Sequence, residues 1–370
     1  MTHVVHIIDE ETGEDAVRAL AFLLRCSQAD VRTHEVIVLG QPPAVLDLPA
    51  GISVRHQPRH SARLGAIASP LRRTLRATAE RGPATLVHAW GARVASVAAR
   101  VLPKGWAILT TLTDPAEAAR PIDGWPIAGS GIGELHVVAA TDRIRDRLIA
   151  RGVAAEAVTV IPAVLDVPAE GLGKQEVRQR HGLTDCGPIL LTASPPSRAG
   201  GHFFAVWAAG LLHEIWPGTR ILVPGRSKEQ QRIARLVEGD YYCPQAVRFV
   251  EEPCRAAELL ALADVLVFPA VSDVPTGWLI AAMACGVPVV ASDVPCVTEL
   301  ITDGWTGFLC PPGRPHALAG RIRAVLEDRS RLDRCVGEAR AWADRFVSRS
   351  SVVQAYEARY DALVSACALR

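Results

Sequence analysis

A chain of 370 residues is longer than one hydrophobic core comfortably fills, so two domains are expected. With 49% apolar and 21% charged residues it has the composition of a folded globular protein, which excludes an extended disordered chain. Forty basic against thirty-nine acidic residues leave a net charge of +1, which excludes a surface built throughout for nucleic acid; local clusters must carry any electrostatic function.

In chain order, short apolar runs at Val4 to Ile8, Glu35 to Leu39, Thr85 to His88, Ala107 to Leu112, Leu135 to Ala140 and Val158 to Ile161 alternate with longer helical stretches. That rhythm predicts βαβ units on a parallel sheet. The first run is too short for a signal peptide and enters a strand pattern directly. It leads into an acid-rich turn, Asp9 to Asp15, which would repel a diphosphate and is read as charging the first turn of the next helix. Between Arg55 and Arg81 lie Arg55, Arg59, Arg63, Arg72, Arg73, Arg76 and Arg81 against one acid, Glu80. With Leu64, Ile67, Leu71 and Leu75 interleaved, this reads as a basic amphipathic segment, either a solvated helix face or a peripheral contact with anionic membrane. His88 falls at the carboxyl end of its strand, where ligands of open sheets bind.

Periodicity lapses from Pro162 to Gly173, the expected interdomain linker. A second series follows at Ile189 to Ala193, Arg220 to Pro224, Val247 to Val250, Val265 to Phe268 and Val287 to Ala291. The expected fold class is therefore α/β, with two doubly wound parallel sheets, Rossmann-like, facing a cleft. A final helix is predicted with Trp342, Phe346, Val353, Tyr356, Tyr360 and Leu363 on one face. No segment approaches the ~20 consecutive apolar residues of a membrane span. The nine cysteines fall in no zinc-binding spacing, so reduced thiols and a cytoplasmic location are expected, with the inner face of the membrane as a peripheral site.

The densest information lies at residues 264–313. They read as a buried strand, a loop, a helix from near Thr276 to Gly286, and a second apolar strand. A helix opening over the carboxyl end of a parallel strand presents amides to an anion. Ile161-Pro162-x-x-x-Asp166, Ala263-Asp264-Val265, Met283-Ala284-Cys285-Gly286-Val287-Pro288-Val289-Val290 and Gly304-x-x-Gly307 stand in order along nearly the whole chain. Together they resemble the family 4, GT-B-type glycosyltransferases.

The resemblance implies an acceptor-side domain over residues 1–165, a nucleotide-sugar domain over 166–344 and a terminal helix, about 345–370, packing back on the first domain. It implies retaining transfer of a hexose from a nucleotide-diphosphate sugar to an unknown acceptor, with no metal and no further cofactor. Of that family's Glu-x7-Glu pair, the sugar-facing position is Asp273 and the ribose-gripping one is Ala281, which has no carboxylate. In the loop after the first strand of the second domain, Pro195 and Gly200 occupy the family's two basic positions, leaving Arg198, Arg226 and Lys228 as substitutes. Under this reading Thr276, Gly277 and Trp278 line the donor site and His88 meets the acceptor. The alternative is a catalytically inactive glycosyltransferase fold kept as a binding or regulatory module.

Overall fold

The computed structural model describes residues 2–27, 32–58, 64–80, 85–103, 105–119, 135–165, 173–184, 186–193, 197–224, 228–239, 243–250 and 256–368. They form two compact units, one of Met1–Ala163 with Arg349–Arg370 and the other of Val164–Ser348.

The first unit carries strands β1 (Thr2–Asp9), β2 (Arg32–Leu39), β3 (Ser53–Gln57), β4 (Thr85–Trp90), β5 (Ala107–Leu112), β6 (Leu135–Ala139) and β7 (Val158–Val160). They lie in the order β3-β2-β1-β4-β5-β6-β7, with every pairing parallel. Central strands such as β5 are buried along their whole length, which is why their sequences are apolar and do not alternate. The chain leaves β1 toward β2 and later returns to β4 on the other side, so the strand order reverses between β1 and β4.

The second unit carries β8 (Ile189–Thr192), β9 (Arg220–Pro224), β10 (Val247–Val250), β11 (Val265–Phe268), β12 (Val289–Ser292) and β13 (Phe308–Cys310). Their order is β10-β9-β8-β11-β12-β13, and the reversal falls between β8 and β11. Both sheets thus have the doubly wound plan expected from the alternation of runs.

Three local expectations are corrected. The strand expected from Val287 begins at Val289, because the Val287 amide still donates to Ala282 O at 2.9 Å and closes the helix Gly277–Cys285 at Gly286, whose φ is +70°. The basic segment is not one amphipathic element. Arg55 belongs to the edge strand β3 and pairs with Glu35 on β2, while the following helix, Leu64–Ala79, buries Ile67, Leu71 and Leu75 in the core. Its apolar stripe is therefore already used, and Arg72, Arg73 and Arg76 are what it exposes; Arg59, Arg63 and Arg81 lie outside the described residues.

The third correction concerns the final helix, which is two helices, Arg329–Phe346 and Arg349–Ala368. Trp342 and Phe346 belong to the second unit, whereas Tyr356, Tyr360 and Leu363 are buried in the first. No helix of the described residues is long and apolar enough to cross a membrane.

Candidate functional site

Ligands of open α/β sheets bind beyond the carboxyl ends of the strands, where the strand order reverses. In the second unit that point lies between the loops following β8 and β11, and the two are interlocked. Val271 N donates to Ala199 O at 2.8 Å, and Gly201, at φ +71°, lies so close to the chain leaving β11 that a Cβ there would sit 1.9 Å from Pro269 O. Only glycine meets both demands, positive φ and contact with a neighbouring carbonyl.

Arg198 lies in the first of these loops, exposed, in the turn that runs into the helix His202–Ile215. Asp273 lies in the second, half-buried, and its Oδ1 accepts from Cys296 N at 3.1 Å. The amide of Val274 in turn reaches Cys296 Sγ at 3.5 Å, so the loop is fastened on both sides of Asp273. Burial pushes the Cys296 thiol up to about 11, keeping it protonated and inert. Thr276 is the cap residue of the helix Gly277–Cys285, only 5% exposed, and its carbonyl accepts from Leu279 N at 3.0 Å. Gly277 is the first helical residue.

Trp278 departs from its expected role as an open wall of a pocket. It lies one residue into the helix and is 4% exposed, so its ring is core. Ala281 is 1% exposed on the same helix. Arg226 lies outside the described residues, and Lys228 opens the helix Lys228–Gly239. Among the described residues no group of three or more His, Cys, Asp or Glu is placed to hold a metal ion.

His88 does not face an acceptor. It is fully buried, with Nδ1 2.7 Å from the Tyr360 hydroxyl and Nε2 2.8 Å from Thr111 Oγ1. The reason lies in the C-terminal helix, which brings Tyr356 and Tyr360 over the strand that a reading of β4 alone leaves open. Trp90 stacks on His88 with centroids 4.3 Å apart and donates from Nε1 to His6 Nδ1 at 3.2 Å, and His6 Nε2 lies 3.0 Å from His34 Nδ1. The result is a buried histidine–aromatic ladder across β2, β1 and β4. Burial drives the pKa of His6 and His88 well below 6.5, and burial with the nearby Arg32 charge lowers His34 to about 4.

Sequence reasoning missed a cavity of about 200 Å³ at the reversal point of the first unit, between the ends of β1, β4 and β5. The acid-rich turn after β1 is organised there rather than merely charging a helix. Asp9 Oδ1 accepts from Glu11 N at 3.0 Å and from Thr12 Oγ1 at 3.0 Å, and Arg93 pairs with both Asp9 and Glu11. The available signal was Arg93 itself, one turn beyond β4 and facing a run of acids.

Residues 189–328 match the model of the glycosyl transferases group 1 family. Among curated proteins, D-inositol 3-phosphate glycosyltransferases are similar. That of Acidothermus cellulolyticus is 30% identical over 235 residues, 58% of this chain and 52% of the relative, and that of Jonesia denitrificans is 28% identical over 58% of this chain and 50% of the relative. The chain thus spans about half the length of the curated relatives it matches. Among solved structures, Anabaena HepE in complex with UDP-glucose superposes with a TM-score of 0.76 at 18% identity, covering 97% of this chain and 99% of that one. Sucrose-phosphate synthase of Thermosynechococcus elongatus gives 0.76 at 19% identity, covering 99% and 100%. Residues 189–328 are accordingly a group 1 glycosyl transferase domain, in a chain with the two-sheet α/β fold of the GT-B glycosyltransferases.

Proposed function

We propose that the chain is a retaining hexosyltransferase that takes a hexose from a nucleotide-diphosphate sugar and passes it to an acceptor on the first unit. The observation that carries this reading is the interlocked pair of loops at the reversal point of the second sheet, one of which includes Arg198 and the other Asp273. Asp273 has one oxygen fixed by Cys296 N, which orients the carboxylate to accept hydrogen bonds from sugar hydroxyls. Arg198, with Arg226 and Lys228, opposes the charge that builds on the departing diphosphate, and the helix start at Thr276 and Gly277 adds its dipole, with Trp278 packed beneath. Side-chain cations and helix amides thereby take the part a metal plays elsewhere. The complexes of HepE with UDP and with UDP-glucose support UDP as the donor nucleotide.

The test is thermal unfolding with millimolar UDP, GDP or ADP, followed by sugar transfer or donor hydrolysis. A nucleotide present at about 100 times its Kd adds roughly 2.7 kcal/mol to native stability. Asp273→Ala is expected to lower turnover at least a hundredfold while keeping the nucleotide shift; unchanged turnover would sink its assignment. A second reading, an inactive binding or regulatory module, is favoured by one observation: Ala281 is an apolar core residue where the related enzymes place a ribose-binding carboxylate. No stabilisation by any of the three nucleotides selects that reading.

We also propose that the cytoplasmic protein touches anionic membrane through the exposed Arg72, Arg73 and Arg76. With the apolar stripe of their helix buried, the contact is purely electrostatic. Sedimentation with phosphatidylserine vesicles at low salt is expected to fall severalfold in the triple alanine variant and at high salt. Binding that ignores both changes refutes the contact.

A further inference from the structure

Three hydrogen-bonding rings stand on one face of the first sheet, on adjacent strands: His34 on β2, His6 on β1 and Trp90 on β4. Val4 pairs with His34 and His6 with His88, so each step from His34 to His6 to Trp90 moves one strand across and two residues along. Residues two apart share a face, and at about 3.3 Å per residue the four-residue climb covers roughly 13 Å toward the carboxyl ends of the strands. The line ends at Trp90, which is fully buried and lines the cavity of about 200 Å³ at the reversal point.

The bonds along this line have one direction. An indole nitrogen only donates and a carboxylate only accepts, while a neutral imidazole has one donor and one acceptor. Burial lowers the pKa of His6 and His34 and keeps both neutral at neutral pH. Trp90 Nε1 donates to His6 Nδ1 at 3.2 Å, so the His6 proton sits on Nε2 and points to His34 Nδ1 at 3.0 Å. The His34 proton then sits on its own Nε2, 2.8 Å from Ser27 Oγ, and the Ser27 hydroxyl donates to Glu357 Oε1 at 3.4 Å. Donor and acceptor order agree from both ends. Because the indole keeps its proton, the chain conducts none; it fixes orientation, and the terminal carboxylate polarises every bond in it.

Glu357 lies on the helix Arg349–Ala368, which is also attached to the sheet in a second way. The Tyr360 hydroxyl stands 2.7 Å from His88 Nδ1 and the Tyr356 hydroxyl 3.3 Å from Thr111 Oγ1. Those tyrosines dock the helix. Only the chain through Ser27 is hydrogen-bonded to the Trp90 ring among the described residues.

We propose that the C-terminal helix acts as a strap on the cavity wall: Glu357, through Ser27, His34 and His6, holds the Trp90 ring in place. Ser27 and Glu357 are thus positioning residues for a wall that neither touches.

The test is NMR of the ¹⁵N-labelled full chain at pH 7.5, which reads the protonated nitrogen of each imidazole and the solvent exchange of the Trp90 indole N–H. In the unaltered protein His6 and His34 are both expected to carry the proton on Nε2. Ser27→Ala and Glu357→Ala are each expected to speed exchange of the Trp90 indole about tenfold, the effect of one hydrogen bond of ordinary net strength. Ser27→Thr keeps the hydroxyl and is expected to restore slow exchange. Asp361→Ala takes away the other carboxylate that pairs with Arg32 but lies outside the chain, and is expected to leave the indole as it was. A proton on Nδ1 of either histidine overturns the proposal without any variant. So does a Trp90 indole indifferent to Ser27→Ala, one not rescued by Ser27→Thr, or one that responds equally to Asp361→Ala.

Discussion

Tyr360→Ala is expected to loosen the first unit by about 4–8 kcal/mol, the sum of roughly 3–5 kcal/mol for emptying a fully buried aromatic site and about 1–3 kcal/mol for orphaning the His88 nitrogen it serves. Tyr360 is 0% exposed, its hydroxyl stands 2.7 Å from His88 Nδ1, and it lies on the helix Arg349–Ala368, which returns to the first unit after the chain has built the second. The helix is further fastened by Arg32, whose side chain is 3% exposed and pairs with Glu357 and, at 2.6 Å, with Glu357's neighbour in the next turn, Asp361. Tyr360→Phe keeps the ring and removes only the hydroxyl, so it is expected to cost about 1–3 kcal/mol. Urea unfolding followed by tryptophan fluorescence reads the effect through Trp90, which stacks on His88. Equal midpoints for wild type and Tyr360→Ala would mean that the helix contributes nothing to the unit it joins.

The same helix marks the limit of what the sequence made legible. Both sheets could be read from apolar runs because parallel strands covered on both faces need such runs, and β5, β9, β10 and β11 lie where the runs lie. Strand β3 escaped because Ser53-Val54-Arg55-His56-Gln57 sits at the sheet edge, is largely exposed, and carries no apolar signature. In the second unit, local order sufficed to place Asp273 in the loop after β11 and Thr276 at the start of the next helix, since strand, loop and helix follow one another directly. His88 was misread because its partners, Tyr360 and Thr111, are 272 and 23 residues away, and no local pattern reports a bond of that span. The acidic turn after β1 failed for the same reason. Its meaning depends on Arg93 and Glu117, which are brought to it by two other strands.

Acid is expected to destabilise the first unit well above the pH at which carboxylates titrate. His6, His34, His88 and His136 all lie there, and burial lowers each pKa, to about 4 for His34 and His136 and well below 6.5 for His6 and His88. The charges around the ladder do not rescue the protonated form: His6 faces His34, His88 and His3, while His34 faces Arg32 and His3. Because the folded state resists protonation, the unfolded chain binds more protons as pH drops through about 6.5. Stability is therefore complete above that value and is lost toward pH 4, at about 1.4 kcal/mol per pH unit for each histidine that stays neutral in the folded state. Against the burial that opposes it, Ile189 N, Lys174 and Arg178 hold Asp264 below 3.8, so its contribution fades only in a lower window and in the other unit. Urea midpoints at pH 7.5, 6.5 and 5.5, with peptide-resolved hydrogen exchange to separate the units, check the expectation. The first unit should weaken between pH 6.5 and 5.5 while the second holds, and His88→Gln should flatten the slope by about one proton. A first unit equally stable at pH 7.5 and 5.5 would show that the histidine ladder accepts protons where it lies, and that its burial has no energetic consequence.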